Sequence, residues 1–272
     1  MIPKKIYALW LQGRANAPDL VQRCLDRWEA LNPDYQLEVL SEFDIGPLLT
    51  QSGIGWAHIA PQALSDIVRA VLLAREGGVW VDATMLPVRP LSTWLPELSQ
   101  SGFFAFERPG PDRPLSSWFL AASPDNLIMR TWLHEIQRFW SHGRRLVDVV
   151  NPADYKARGR FARLLGRRGR MPEDLVASVR PEFADDTDVY PYFWFHYLFE
   201  HMLQTVPEVA AAWASAGKLS ADDGHAVQVL FRDADNPSDD DILAALAKAP
   251  AQKLNWRMDF PARLFDLVGD LA

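Results

Sequence analysis

A chain of 272 residues, 49% hydrophobic and 23% charged, is long enough for one large core and has an ordinary globular composition. Its formal net charge of −7 argues against nucleic acid as a partner, because neutralising phosphates needs a basic field. The single cysteine, Cys24, excludes an intramolecular disulfide and makes a cysteine zinc site untenable.

Taken in chain order, "KKIYALWLQG" reads as a first buried strand closed by Gly13. Its apolar run is too short for a secretory signal core, and no stretch reaches the about 18 apolar residues of a membrane span. A cytoplasmic location is therefore expected. Asp19–Leu31 follows as a helix with Leu20, Cys24, Trp28 and Leu31 on one stripe, stopped by Asn32-Pro33. "YQLEVL" alternates like a strand, and a loop is expected from Asp44 to Pro61. "PQALSDIVRAVLLAREGG" is a helix entered through Pro61 and left through Gly77-Gly78, and "VWVD" returns as a strand. "FFAFER" and "SSWFLAA" read as further strands, and "NLIMRTWLHEIQRFW" as a helix opened by Pro124. "PYFWFHYLFEHMLQTVP" is an apolar helix framed by prolines, "SDDDILAALAKA" a capped late helix, and "QKLNWRMDF" a tail. Alternating strands and helices predict an α/β fold with a mostly parallel central sheet flanked by helices and a helical C-terminal part.

The stretch "EGGVWVDATMLP" raises a chemical question, since a buried strand ends on Asp82, a small residue and a hydroxyl. Asp66 lies in the first turns of the preceding helix, and a helix-to-strand return brings its start to the edge of the sheet where that strand ends. Asp66 and Asp82 then face one crevice outside the carboxyl ends of the strands, where open α/β sheets bind ligands. Arg69, at i+3, shares the helical face of Asp66. Two carboxylates around a guanidinium suit a nucleotide diphosphate, with a divalent cation and ribose hydroxyls held by the acids. A surface Asp66–Arg69 ion pair plus a loop aspartate fits the spacing equally well.

"LSDIVRAVLLAREGGVWVDATMLPVRPL" resembles the signature of DxD-type sugar-nucleotide glycosyltransferases, and specifically the bacterial capsular polysaccharide synthesis protein family, related to the family 32 glycosyltransferases. "IPKKIYALWLQG", "NPDYQLEVL", "SSWFLAASPDN", "YFWFHYLF" and "KLNW" match in the same order, so the resemblance covers nearly the whole chain. It implies a single GT-A-type domain over residues 1–272, with a donor-binding part at about 1–125 and a helical, acceptor-binding part at about 126–272. It further implies transfer of a hexose, with retention, from a nucleotide-sugar donor such as a UDP-sugar to a capsule, exopolysaccharide or lipopolysaccharide acceptor. By the same resemblance Trp10 stacks on the base, and Ser65, Asp66 and Arg69 belong to the donor-binding helix. Asp82 is the first acid of the DxD motif, and Asn255 and Trp256 close over the pyrophosphate. Asp82 and Asp66 are the implied catalytic residues, and Asp82 with Thr84 the implied ligands of Mn²⁺ or Mg²⁺. Thr84 stands where the family places a second acid, and a hydroxyl is a neutral and weaker anchor.

Two alternatives remain at this level: a nucleotide-sugar-binding module without turnover, and a metal-dependent phosphatase using Asp82 as nucleophile. The phosphatase needs D-x-D-x-T, which Thr84 and Pro87 break. Neither G-x-G-x-x-G nor G-x-x-x-x-G-K-[ST] occurs. His196 inside its aromatic helix reads as a core histidine, and "PSDDDI" as a helix cap rather than a metal site. Between Lys156 and Arg170, five basic residues recur at helical spacing. They suit either a helix on an anionic membrane or lipid diphosphate, or a solvated loop.

Overall fold

In the computed structural model, which describes residues 1–55, 59–141, 143–147 and 189–271, the apolar run Ile6-Tyr7-Ala8 is fully buried at the heart of β1 (Lys5–Leu9). β1 pairs in parallel with β2 (Gln36–Leu40) on one side and β3 (Gly78–Val81) on the other. The hairpin of β5 (Phe103–Gly110) and β6 (Arg113–Ala122) joins through an antiparallel β3–β6 pairing, and β9 (Gly217–Ser220) runs parallel to β5 at the far edge. The result is a six-stranded sheet in the order β2-β1-β3-β6-β5-β9, mostly parallel as expected.

Helices cover both faces because the inner strands are apolar on both. One face carries α2 (Glu42–Gln51), α3 (Pro61–Arg75), α5 (Leu127–Phe139) and α6 (Trp194–Thr205), packed over Tyr7, Trp80 and Leu120. α7 (Pro207–Ser215) extends this layer. Trp132 of α5 stacks on Phe195 of α6 at 3.9 Å between centroids. The other face carries α1 (Asp19–Leu31) over Val79, Val81 and Phe119, with the short α4 (Leu95–Leu98) beside it. A third cluster gathers α9 (Ala226–Asp233), α10 (Asp239–Ala247) and α11 (Ala262–Asp270) around Leu86 and Leu254. There β10 (Ala251–Lys253) pairs antiparallel with β4 (Met85–Pro87), preceded in the chain by the single turn α8 (Ala221–Gly224). β7 (Arg145–Val147) and β8 (Val189–Pro191) form a separate parallel pair.

Several sequence expectations are corrected. The segment expected as a loop from Asp44 contains most of α2. Ser41 and Asp44 form a reciprocal capping box, and Ile45 and Leu49 bury fully, which outweighs Gly46 and the lost donor of Pro47. On α1 the buried stripe is Val21, Cys24, Leu25 and Trp28, while Leu20 and Leu31 are only half-buried, so the helix is rotated from its expected setting. The tail "QKLNWRMDF" begins with a strand, β10. Asn126, not Pro124, caps α5, its side chain accepting from the backbone of Ile128 and Met129. The capping reading of "PSDDDI" is correct, since Ser238 and Asp241 cap α10 reciprocally. The basic stretch Lys156–Arg170 lies outside the described residues. Among the described residues no helix is long and apolar enough to cross a membrane.

The turn from α3 into β3 sets where Asp82 emerges. Gly77 has φ +67°, a left-handed conformation that costs an L-residue about 1–2 kcal/mol. A Cβ there would also lie 2.6 Å from the Pro124 nitrogen and 2.8 Å from the Ala122 oxygen. Gly77→Ala is therefore expected to lower the urea midpoint by at least that conformational cost. Gly269→Ala, in open space on α11, should leave the midpoint unchanged or raise it.

Candidate functional site

A cavity of about 900 Å³ opens where β1 and β3 end, the edge at which the sequence placed a binding crevice. Trp10, Ser65, Asp66, Arg69, Asp82 and Thr84 line it from the N-terminal half, and Asn255 and Trp256 from the C-terminal segment. The structure thus brings together the candidate catalytic, donor-binding and metal-ligating residues named from the sequence. Trp10 follows β1 directly and meets Trp256 edge-on, ring centroids 6.2 Å apart, at the mouth. Trp256 is exposed.

Arg69 organises the floor. Its guanidinium lies 3.1 Å from Asp66 Oδ1 and 3.3 Å from Asp82 Oδ1. It also donates to the Ser65 carbonyl and hydroxyl and, at 2.6 Å, to the Ser117 carbonyl of β6. A guanidinium has five N–H donors; four make hydrogen bonds here, to the Ser65 carbonyl and hydroxyl, the Ser117 carbonyl and Asp82 Oδ1, and the Asp66 contact is an ion pair. Arg69 therefore holds the two acids in place. The Trp80 and Phe195 rings flank it, 5.0 and 5.8 Å from its central carbon. This is no surface ion pair, for Asp66 and Arg69 are both buried.

Lys253 was missed from the sequence. β10 pairs Lys253 with Met85, just past the turn that carries Asp82 and Thr84. Its Nζ donates to Thr84 Oγ1 at 2.5 Å and lies 3.3 Å from Asp82 Oδ2. Asp82 Oδ1 also accepts from Trp80 Nε1 at 3.3 Å. Burial alone would raise the Asp82 carboxyl. The Lys253 charge, then Arg69, and the hydrogen bonds from Trp80 and Lys253 outweigh it and hold the group below the usual carboxylate range. Asp66 goes the other way: burial, opposed by Arg69 and reinforced by Asp82, pushes it up to about 7. The floor therefore pairs one firmly ionised carboxylate with one that shares a proton near neutrality.

His196 on α6 also lines the cavity, where the sequence suggested an ordinary core histidine. It is buried, and burial, then the Arg113 and Arg69 charges, pushes its imidazole down to about 3, so it is neutral at pH 7. Its Nδ1 has no hydrogen-bond partner among the described residues. The aromatic helix gave no signal for this, because it is buried all round from Trp194 to Phe199 and its pattern does not separate core-facing from cavity-facing positions.

A divalent cation at Asp82 and Thr84 would have one carboxylate and one hydroxyl, and both contact the Lys253 ammonium. Mg²⁺ and Mn²⁺ sites draw on oxygen ligands with net negative charge. Among the described residues no three His, Cys, Asp or Glu side chains gather. In this arrangement the pair does not fit a divalent cation.

The buried Asp66 makes stability pH-dependent with a definite sign. Its folded value is about 7 against an ordinary 3.8, so the folded chain binds this proton more tightly, and stability falls as pH rises from about 4 to 7. Asp66→Asn should remove that slope. The melting-temperature difference, wild type minus variant, should shrink across this window by an amount on the order of a few kcal/mol in free energy.

The profile of the family described as capsular polysaccharide synthesis protein matches residues 1–151. The O-glycosyltransferase braB of Annulohypoxylon truncatum is 28% identical over 160 residues, covering 50% of this chain and 38% of the relative. The putative glycosyltransferase HOC1 of Saccharomyces cerevisiae is 29% identical over 103 residues, 35% of this chain and 26% of the relative. The chain thus spans well under half the length of these curated relatives. Among solved structures, the ligand-free glycosyltransferase domain of the YGT toxin aligns with TM-score 0.44 at 10% identity, covering 100% of this chain and 99% of that one. Its UDP-bound form aligns with TM-score 0.43 at 10% identity, over 98% and 96%. With more than half its length matched by that profile, the chain belongs to the capsular polysaccharide synthesis protein family.

Proposed function

We propose that the cavity binds a nucleotide-sugar donor, with UDP-sugars as the first class to test, and transfers its hexose to a glycan or lipid-linked glycan acceptor of a bacterial surface polysaccharide. The observation that carries this reading is the convergence of Asp66, Arg69 and Asp82 on the floor of one cavity outside the ends of β1 and β3. The family and the names of the curated relatives support transfer of a sugar over other chemistries. A cavity of about 900 Å³ lies within the ~300–1,000 Å³ range of small-molecule sites.

In the transfer the bond between the sugar anomeric carbon and the diphosphate oxygen breaks. A bond to an acceptor hydroxyl oxygen forms, and that hydroxyl's proton passes to solvent. The diphosphate leaves with its full negative charge, so groups fixed in advance around it lower the barrier. Trp10 and Trp256 frame the mouth for a base, and Asp66 and Ser65 face the sugar and ribose hydroxyls. Asp82, locked by Arg69, sets the charge pattern of the floor. The neutral His196 and Tyr192 line the wall formed by α6 and the turn before it. Tyr197, one residue beyond His196, instead donates to Asp112 at 2.7 Å and ties α6 to the β5–β6 turn.

A panel of UDP- and GDP-sugars should contain at least one that raises the melting temperature by mass action. The same compound should be consumed in the presence of an acceptor glycan. Asp82→Asn should lower kcat by about a hundredfold or more, the scale of one lost preorganised electrostatic contact. Binding without any turnover would instead mark a donor-binding module, and phosphate release from simple esters a phosphatase. A panel without a single ligand would end the glycosyl-transfer reading.

A further inference from the structure

We infer that the Lys253 ammonium takes the place of a divalent cation in this site, so that the chain binds a nucleoside diphosphate without metal. The inference rests on the donor-binding reading above and deepens it. The position of the ammonium supports it first. Lys253 Nζ sits between Asp82 Oδ2, at 3.3 Å, and Thr84 Oγ1, at 2.5 Å, which are the two side chains that would otherwise ligate the ion. An ammonium has three N–H donors and no acceptor, and among the described residues these two contacts engage two of them. The third remains for a ligand oxygen, whereas Arg69 is buried and committed to Ser65, Ser117, Asp66 and Asp82.

Charge balance points the same way. Among the described residues Arg69, Arg113, Lys253 and Arg257 line the cavity with Asp66 and Asp82, so the cationic side chains outnumber the carboxylates there even with Arg113 paired to Asp112. A divalent cation at a nucleotide site is held by one or two carboxylates together with the ligand's phosphates, but here the carboxylate that would serve, Asp82, is already paired with Lys253 and Arg69. The site is already poised for an anion. The position of Lys253 is built in rather than incidental. Its neighbour Gln252 is fully buried, donating to the Asp223 and Ala245 carbonyls and accepting from the Val227 amide. With Gln252 anchored inward on a strand, Lys253 is turned to the opposite side, toward the cavity. Replacing the second acid of the motif by Thr84 is then part of one exchange: a hydroxyl can accept from an ammonium without adding a negative charge.

The experiment is calorimetric titration of the full chain with UDP, GDP, uridine and guanosine, in EDTA and separately in MnCl₂. One nucleoside diphosphate is expected to bind in EDTA with an affinity within about threefold of that in MnCl₂. Lys253→Met should weaken it by about tenfold or more in EDTA, a change of ~1.4 kcal/mol. The matching nucleoside, which lacks phosphates, should bind wild type and variant alike, and this separates lost charge from lost folding. Lys253→Arg should keep most of the affinity, and Lys253→Asp should bind the diphosphate only when Mn²⁺ is present. Wild-type binding that appears only with Mn²⁺, or a Lys253→Met variant that binds the diphosphate as tightly as wild type in EDTA, overturns the inference while leaving the donor-binding reading intact. Absence of binding by either diphosphate in both buffers overturns the two together.

Discussion

The buried guanidinium of Arg69 is the interaction on which the rest of the site depends. Taking a charge out of water costs several kcal/mol unless partners replace the lost hydration. Here they come from four directions: Ser65 and Asp66 on its own helix, Asp82 after β3, the Ser117 carbonyl on β6, and the ring of Phe195 on α6. Each partner belongs to a different piece of the fold, so satisfying one cation fixes their mutual positions. The requirement runs both ways. Without Arg69, Asp66 would be buried beside a second acid with no compensating charge, and Asp82 would lose one of its two cations.

The two carboxylates are chemically alike in sequence and unlike in the structure. Asp82 has a cation on each side and stays ionised, whereas Asp66 is deeper, has Arg69 alone, and feels Asp82 as a like charge. Environments that push paired acids apart are a usual mark of sites that handle charge or protons. The asymmetry is created by Lys253, which arrives on β10 from the far end of the chain. β10 pairs with β4, and β4 is itself tied to α1 by the Trp28 indole donating to the Met85 carbonyl. The C-terminal segment is therefore a wall of the site and not an appendage to it, and Asn255 and Trp256 reach the cavity for the same reason.

Much of this was legible in the sequence. Pro61 at the entry of α3, two glycines at its exit and an unbroken apolar strand after them dictate a helix-to-strand return, and that return carries Asp66 and Asp82 to one edge. Arg69 at i+3 follows from helical geometry alone. Other features left weaker traces. The capping box of α2 is present in "SEFD", but Gly46 and Pro47 mask it. β4 and β10 are three residues each, too short for any periodic pattern to register. The setting of α1 turned on Val21 and Leu25 rather than Leu20 and Leu31, a rotation that only the opposing strand surface decides.

By itself the sequence determined the longer strands and helices, the edge to which Asp66 and Asp82 are carried, and the proximity of Asp66 and Arg69 on one helical face. All of these depend on contacts within a few turns or one reversal of the chain. The tertiary structure alone decided that Lys253 meets Thr84 across 169 residues, that His196 faces a cavity, and that one aspartate is ionised while the other holds its proton near neutrality. Those outcomes depend on burial and on the distance between charges brought together by packing. No local pattern encodes either quantity, since both arise only when the strands that carry the groups have found their partners.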